Sequence, residues 1–300
     1  MTSRFLRRGF TRTPRRGPSF LRDRSEPAPP KETCIMGLLG TARVTLRLFT
    51  LAVLTGFTVL RLKLSAKLRG ACPKTATRHG HAWARRMLSL LGVRVEVEGA
   101  PPGDAVLFVA NHRSYVDIAA LLAQRPCAFL AKAEIAGWPL FGVAARETHT
   151  VFVQREDKAS RRAARGGALS LLKQGVAFAA FPEGTTSRGP GTLPFFPGLF
   201  ELAAEHRIPV VPVAIEYAER EDAWVGDDGF IPHFLNCFRK RRMHIALAFG
   251  PVLQGDDKEG LRTEAEAWIR DRLEALAPRG ALIRGGLPRT SGRAAAPTPA

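Results

Sequence analysis

The 300-residue sequence predicts an α/β domain whose largely parallel sheet is flanked by helices, preceded by a membrane-associated helical segment. Three observations carry that expectation. Past residue 92, short unbroken apolar runs of strand length alternate with stretches whose apolar residues recur every three or four positions, the pattern of strands covered on both faces by helices. A content of 45% hydrophobic and 24% charged residues supports a substantial core, in one large domain or two small ones. The net charge of +18 is uneven: residues 1–100 hold 20 Lys or Arg against 5 Asp or Glu, and the rest of the chain is nearly balanced. So basic a front end seeks an anionic partner, either acidic lipid or nucleic acid.

Residues 1–33 carry eight arginines and five prolines with few large apolar side chains, too little burial to offset ordering entropy, so they read as a disordered arm. A Pro-rich, partly acidic stretch separates these arginines from any apolar run, unlike a secretory signal. An alternative start at Met36 would make residues 1–35 an upstream extension. The apolar stretch Ile35 to Leu64 then reads as a helix. Its longest charge-free run, Leu48 to Leu60, has 13 residues and spans about 20 Å, short of a hydrocarbon core of roughly 30 Å. Arg43, Arg47, Thr50, Leu54, Thr58, Arg61 and Ser65 form a polar stripe along it, which suggests a helix lying in the interface with Arg and Lys at the headgroups. Lys63, Lys67, Arg69 and Lys74 add attraction to acidic lipid. A core helix packed on the domain and a tilted single span are the other readings. A second helix, Thr75 to Leu91, turns Trp83, Met87, Leu88 and Leu91 inward and stops at Gly92. Residues 34–91 thus form a basic, membrane-associated segment, placed on the cytoplasmic face.

Val93 to Val97 alternates as a half-buried strand. Further strands are expected at Val106 to Ala110, Ala128 to Ala131, Thr150 to Val153, Val176 to Phe181, Val210 to Ile215 and Ile245 to Phe249. Helices are expected at Val116 to Ala123, Ala159 to Lys173, Gly198 to His206 and Leu261 to Ala277. The α/β domain covers residues 92–277, and 278–300, rich in Gly, Pro and Ala, read as a disordered tail.

Several chemistries are disfavoured. Cys34, Cys72, Cys127 and Cys237 lack CxxC spacing and read as free thiols. His79 and His81 have no nearby Cys or carboxylate to complete a metal site, so a helix surface is the reading. Neither GxxxxGK[ST] nor GxSxG occurs. In such a fold, functional residues sit where strands end and helices begin. Residues 110–117, Ala-Asn-His-Arg-Ser-Tyr-Val-Asp, lie at such a place. Asp117, in the first turn of the helix, could hold the Nδ1 proton of His112, leaving the other ring nitrogen to take a proton from a hydroxyl. No serine or cysteine is placed nearby in sequence as a nucleophile, so the substrate alcohol itself must attack. On spacing alone, a turn histidine and an ordinary helix N-terminal acid is the commoner reading. Residues 181–189, Phe-Pro-Glu-Gly-Thr-Thr-Ser-Arg-Gly, again follow a strand and could cradle an anion, with Arg188 adding charge. Alone they would read as a plain loop.

Together the two segments resemble the phospholipid and glycerol acyltransferases, the lysophosphatidate acyltransferases and their relatives. The family's His and Asp with four residues between them are matched by His112 and Asp117. Its second block is similar to Lys132-Ala-Glu-Ile135, Pro139, Gly142 and Val151-Phe-Val-Gln-Arg155. Its third, Phe-Pro-Glu-Gly-Thr-Arg-Ser, resembles Phe181 to Ser187, and its fourth, a strand interrupted by proline, resembles Ile208 to Ile215. The resemblance implies transfer of a fatty acyl group from acyl-CoA or acyl-carrier protein to the free hydroxyl of a lysolipid, foremost 1-acylglycerol-3-phosphate to phosphatidate. His112 would be general base and Asp117 its orienter. Glu183, Gly184 and Thr185 would shape the acceptor site, and Arg155 would contact the headgroup or phosphate. No metal and no cofactor besides the acyl donor is implied. Helix N-terminal amides near Ser114 to Val116 are a candidate oxyanion site.

One departure matters. Thr186 stands where the family's third block has Arg, and threonine cannot hold a phosphate by two parallel hydrogen bonds. Either Arg188 or Arg155 takes over the phosphate, or the acceptor lacks a phosphomonoester. The Thr-Thr-Ser form followed by Leu193-Pro-Phe resembles the subgroup that acylates lyso-ornithine lipids, which is the alternative acceptor. A reading from another class, a basic nucleic-acid-binding protein, finds only Phe5, Phe10 and Phe20 in the arm and no recognition motif, so no nucleic acid is expected as partner. A non-catalytic lipid binder with a decayed site is opposed by the intact His112 and Asp117 pair.

Overall fold

A computed structural model describes residues 31–284 except 227, with side chains over 38–276; the readings for residues 1–30 and 285–300 lie outside the described residues. The described residues from 39 onward form one compact unit. It holds a seven-stranded sheet made of β1 (Val93–Glu98), β2 (Leu107–Ala110), β3 (Cys127–Lys132), β4 (Val151–Val153), β5 (Ala177–Ala180), β6 (Val210–Tyr217) and β7 (Met243–Phe249). Their spatial order is β1-β7-β6-β2-β5-β3-β4. Every neighbouring pair is parallel except β6 and β7, which run antiparallel.

Helices cover both faces, which is why the strands read as unbroken apolar runs. They are α1 (Lys31–Arg69), α2 (Pro73–Leu91), α3 (Val116–Leu122), α4 (Phe141–Glu147), α5 (Lys158–Lys173), α6 (Gly198–His206), α7 (Phe230–Arg239) and α8 (Lys258–Arg284). Side chains alternate across β2: Phe108 and Ala110 pack with Met87, Leu121 and Phe238 from α2, α3 and α7. Leu107 and Val109 pack on the other side with Leu171, Phe200 and Ile269 from α5, α6 and α8. Gly92 ends α2 in a left-handed conformation, φ 75°, its amide donating to Leu88 and Ser89 carbonyls.

Two expectations are corrected, and two helices, α4 and α7, are added. The helix α8 continues over residues 278–284, where composition suggested a tail. The short α4 escapes a period-based reading by its seven residues. In α7, likewise outside the expected helices, Pro232 lies in the first turn, where backbone N–H groups have no intrahelical partner to lose.

The second concerns α1, where two arginines of the polar stripe turn to backbone carbonyls of the domain. Arg43 donates to the Arg239 carbonyl at 2.8 Å. Arg47 donates to the carbonyls of Leu90, Phe238, Lys240 and Arg241 at 3.2, 2.8, 2.7 and 3.0 Å. Carbonyls at the ends of α2 and α7 lack helical partners, and a guanidinium with five donors satisfies them. Val44, Leu51, Thr55 and Leu62 are buried on the same side of the helix. The opposite side shows Leu39, Leu46, Phe49, Val53, Phe57, Leu60, Leu64 and Leu68, each more than half exposed. By length and composition, Leu38–Arg69 could cross a membrane.

Candidate active site

Neighbouring parallel strands β2 and β5 deliver the two chemistry-bearing loops to one edge of the sheet. Just past β2, buried Asn111 exchanges two hydrogen bonds with the backbone of Ile215 on β6, both 2.8 Å, and pins the point where the chain leaves the sheet. His112 follows. Its Nδ1–H donates to Asp117 Oδ2 at 2.8 Å, and the same oxygen accepts the amides of Arg113 and Ser114 at 2.6 and 2.9 Å. The Tyr217 hydroxyl donates to Oδ1 at 2.7 Å. A fully buried carboxylate is thus matched to four donors, and it fixes the imidazole tautomer with Nε2 as the basic nitrogen. Phe181 stacks on the imidazole, centroids 4.0 Å apart and planes 13° apart, which sets the ring's orientation.

The third block is fastened to the first. Glu183 is 3% exposed; it accepts the His112 amide at 3.1 Å, and the Ser187 amide donates to the His112 carbonyl at 2.9 Å. Burial pushes the Glu183 carboxyl up to about 7, against the opposing pull of the His112 and Leu193 amides and of Arg113. A backbone-held imidazole paired with a buried carboxylate, and fastened to a second loop, is an arrangement that can take up and deliver a proton.

The acyltransferase family model matches residues 92–216, the span that carries both loops. A lyso-ornithine lipid O-acyltransferase of Pseudomonas aeruginosa is 35% identical over 195 residues, covering 63% of this chain and 75% of that protein. The chain belongs to the acyltransferase family. A 1-acyl-sn-glycerol-3-phosphate acyltransferase of Neisseria gonorrhoeae is 35% identical over 165 residues, covering 53% of this chain and 65% of that one. Among solved structures, the 1-acyl-sn-glycerophosphate acyltransferase PlsC of Thermotoga maritima superposes with a TM-score of 0.60 at 25% identity, covering 81% of this chain and 97% of that one.

In this acyltransferase the remaining site residues fall into two groups. Gly184 has φ 73°, and a Cβ there would lie 2.8 Å from Phe196 Cε2; half-buried Arg155 donates to its carbonyl, so the second block meets the third. The Thr185 side chain is exposed. Arg188 instead turns to Asp228, 2.8 Å away, with half of its side chain in solvent. The Ser114 amide, a candidate for stabilising an oxyanion, is taken by Asp117. The His81 Nδ1–H donates to the Leu122 carbonyl at 2.8 Å.

Sequence reasoning missed Arg113. Its side chain is 1% exposed and its guanidinium donates to Ser187 Oγ at 2.8 Å, to the Gly191 carbonyl at 3.0 Å and to Glu216 Oε2 at 3.1 Å. Its own carbonyl accepts the Trp224 amide at 2.9 Å. One buried arginine therefore ties four segments around the base. Glu216 and Tyr217 were missed as well, although the switch from apolar run to Glu-Tyr at the end of β6 marks the sheet edge where sites form.

Proposed function

We propose that this acyltransferase moves a fatty acyl group from a thioester, acyl-CoA or acyl-carrier protein, to the free hydroxyl of a lysolipid at a membrane surface. The observation that carries the reading is the His112–Asp117 pair at 2.8 Å, with His112 Nε2 given no partner among the described residues. Nε2 takes the hydroxyl proton as the oxygen attacks the thioester carbonyl. The tetrahedral intermediate then collapses, the C–S bond breaks, and the thiolate leaves with the proton carried by Nε2. A positioned base contributes about 10²- to 10⁴-fold, so alignment and oxyanion stabilisation supply the rest.

The exposed apolar side of α1, with Lys67 and Arg69 in its last turn, supports docking on an anionic bilayer from the side on which cytoplasmic thioesters are available. Of the two acceptor classes named for the relatives, the arginines favour lyso-ornithine lipid over 1-acylglycerol-3-phosphate. Arg113 is buried, Arg155 donates to the Gly184 carbonyl, the charge of Arg188 is balanced by Asp228, and the third block supplies threonine at 186. Purified protein incubated with radiolabelled acyl donor and lysolipid tests the reading. His112→Ala should abolish product while leaving liposome binding intact, and near-wild-type turnover would remove His112 from the mechanism.

A further inference from the structure

After β6 the chain crosses the edge of the sheet before returning as α7, and a cavity of about 300 Å³ lies between this crossing, α7 and Arg188 of the third block. Its walls are tied to the catalytic loop. The residue before Arg188 donates its amide to His112, Trp224 donates to Arg113, and Tyr115 meets His233 Nδ1 at 3.2 Å. The lining charges are mixed. Arg188 pairs with Asp228 at 2.8 Å, and Lys240 pairs with Asp222 at 2.6 Å, the Asp222 side chain being 2% exposed. Glu221 also lines the cavity and is exposed. Three acids therefore face two bases.

That balance discriminates between acceptors. A phosphomonoester carrying nearly two negative charges would enter a cavity already net negative and add to that charge. A headgroup with one ammonium and one carboxylate can instead exchange partners with the Arg188–Asp228 pair, its carboxylate taken by the guanidinium fork and its ammonium by Asp228 and Glu221. The number of charge-assisted hydrogen bonds is kept and no net charge is added. The Arg188–Asp228 pair suits this exchange because it is half exposed and weakly held. Asp222 and Lys240 stay behind as the fixed floor. We propose that this cavity is the acceptor headgroup subsite and takes a zwitterion bearing a primary ammonium and a carboxylate, as in an amino-acid lipid. The inference rests on the lysolipid acylation reading and goes beyond it by placing the headgroup.

The test compares three acceptors with the full-length protein in mixed micelles: lyso-ornithine lipid, the same lipid acetylated on its side-chain amine, and 1-acylglycerol-3-phosphate. Wild type should prefer the free amine to the acetylated form by about ten-fold or more in kcat/KM. Asp228→Asn should raise KM for the free amine about ten-fold with kcat kept, and leave KM for the acetylated form unchanged. Arg188→Gln should weaken both amino-acid lipids alike, since both retain the carboxylate. Equal use of the two amino-acid lipids, or equal effects of Asp228→Asn on both, overturns the subsite. Acylation of 1-acylglycerol-3-phosphate alone overturns the subsite and leaves the lysolipid reading standing, whereas no transfer to any of the three overturns both.

Discussion

The backbone amide of His112 donates to the carboxylate of Glu183, 71 residues further along the chain, at 3.1 Å. His112 is therefore positioned from two sides, by Asp117 at its ring and by Glu183 at its backbone.

Glu183 makes stability depend on pH. Its carboxyl is raised from 4.5 to about 7, chiefly by burial. Below the lower value both folded and unfolded states hold the proton, and above the upper value neither does. Between them only the folded state does, so stability falls as pH rises through that window. The loss is on the order of 3 kcal/mol at full effect. Urea unfolding at pH 4.5 and 7.5 should show Glu183→Gln free of this component of the slope. An identical pH dependence in the two proteins would contradict the assignment.

Asp117→Asn should leave the fold nearly intact and the chemistry poor. The amide oxygen can keep the place of Oδ2, while its NH₂ turns to the Tyr217 hydroxyl, which reverses to accept. What disappears is the negative charge that holds the tautomer and stabilises the imidazolium. A fall in kcat of about 10³- to 10⁴-fold is expected, with KM little changed. Steady-state kinetics beside a thermal melt checks it.

Arg113→Ala would leave Glu216 without its cation and Ser187 Oγ and the Gly191 carbonyl without their donor. Breaking one side of a buried pair costs about 3–5 kcal/mol. The double variant Arg113→Met with Glu216→Leu should recover much of that stability and little of the activity, because the loop around the base still lacks its clamp. Denaturant midpoints and turnover measured on the same samples separate the two effects. Equal recovery of both would make Arg113 a purely structural residue.

Gly184→Ala meets two obstacles, a positive φ that costs about 1–2 kcal/mol for a residue with a Cβ and a clash with the Phe196 ring. Shifting this loop moves Arg155 and Glu183 with it. A loss in kcat/KM of roughly 10- to 100-fold is expected. Adding Phe196→Ala, at a side chain that is mostly exposed, should restore part of the activity by removing the clash and leaving the φ strain. Full restoration would show that the glycine's conformation is immaterial.

Periodicity and turn chemistry act within a few residues, so the seven strands, the stop at Gly92 and the pairing of His112 with Asp117 one turn away could be read from the chain. The polar stripe on α1 was equally visible, but its direction was not. Arg47 is satisfied by carbonyls near residue 240, and nothing local distinguishes an arginine that meets a helix end from one that meets a lipid phosphate. Arg188 was noticed for its charge, yet its partner Asp228 comes from a crossing that carries no pattern of its own.

By itself the sequence determined the α/β class, the basic front end and the pairing of His112 with Asp117, since each is written in neighbouring residues. Only the tertiary structure decided what surrounds the base. Tyr217 reaches Asp117 across 100 residues and Glu216 reaches Arg113 across 103, because β6 and β5 flank β2 in the sheet. That strand order follows from packing the whole core, and no local period encodes it.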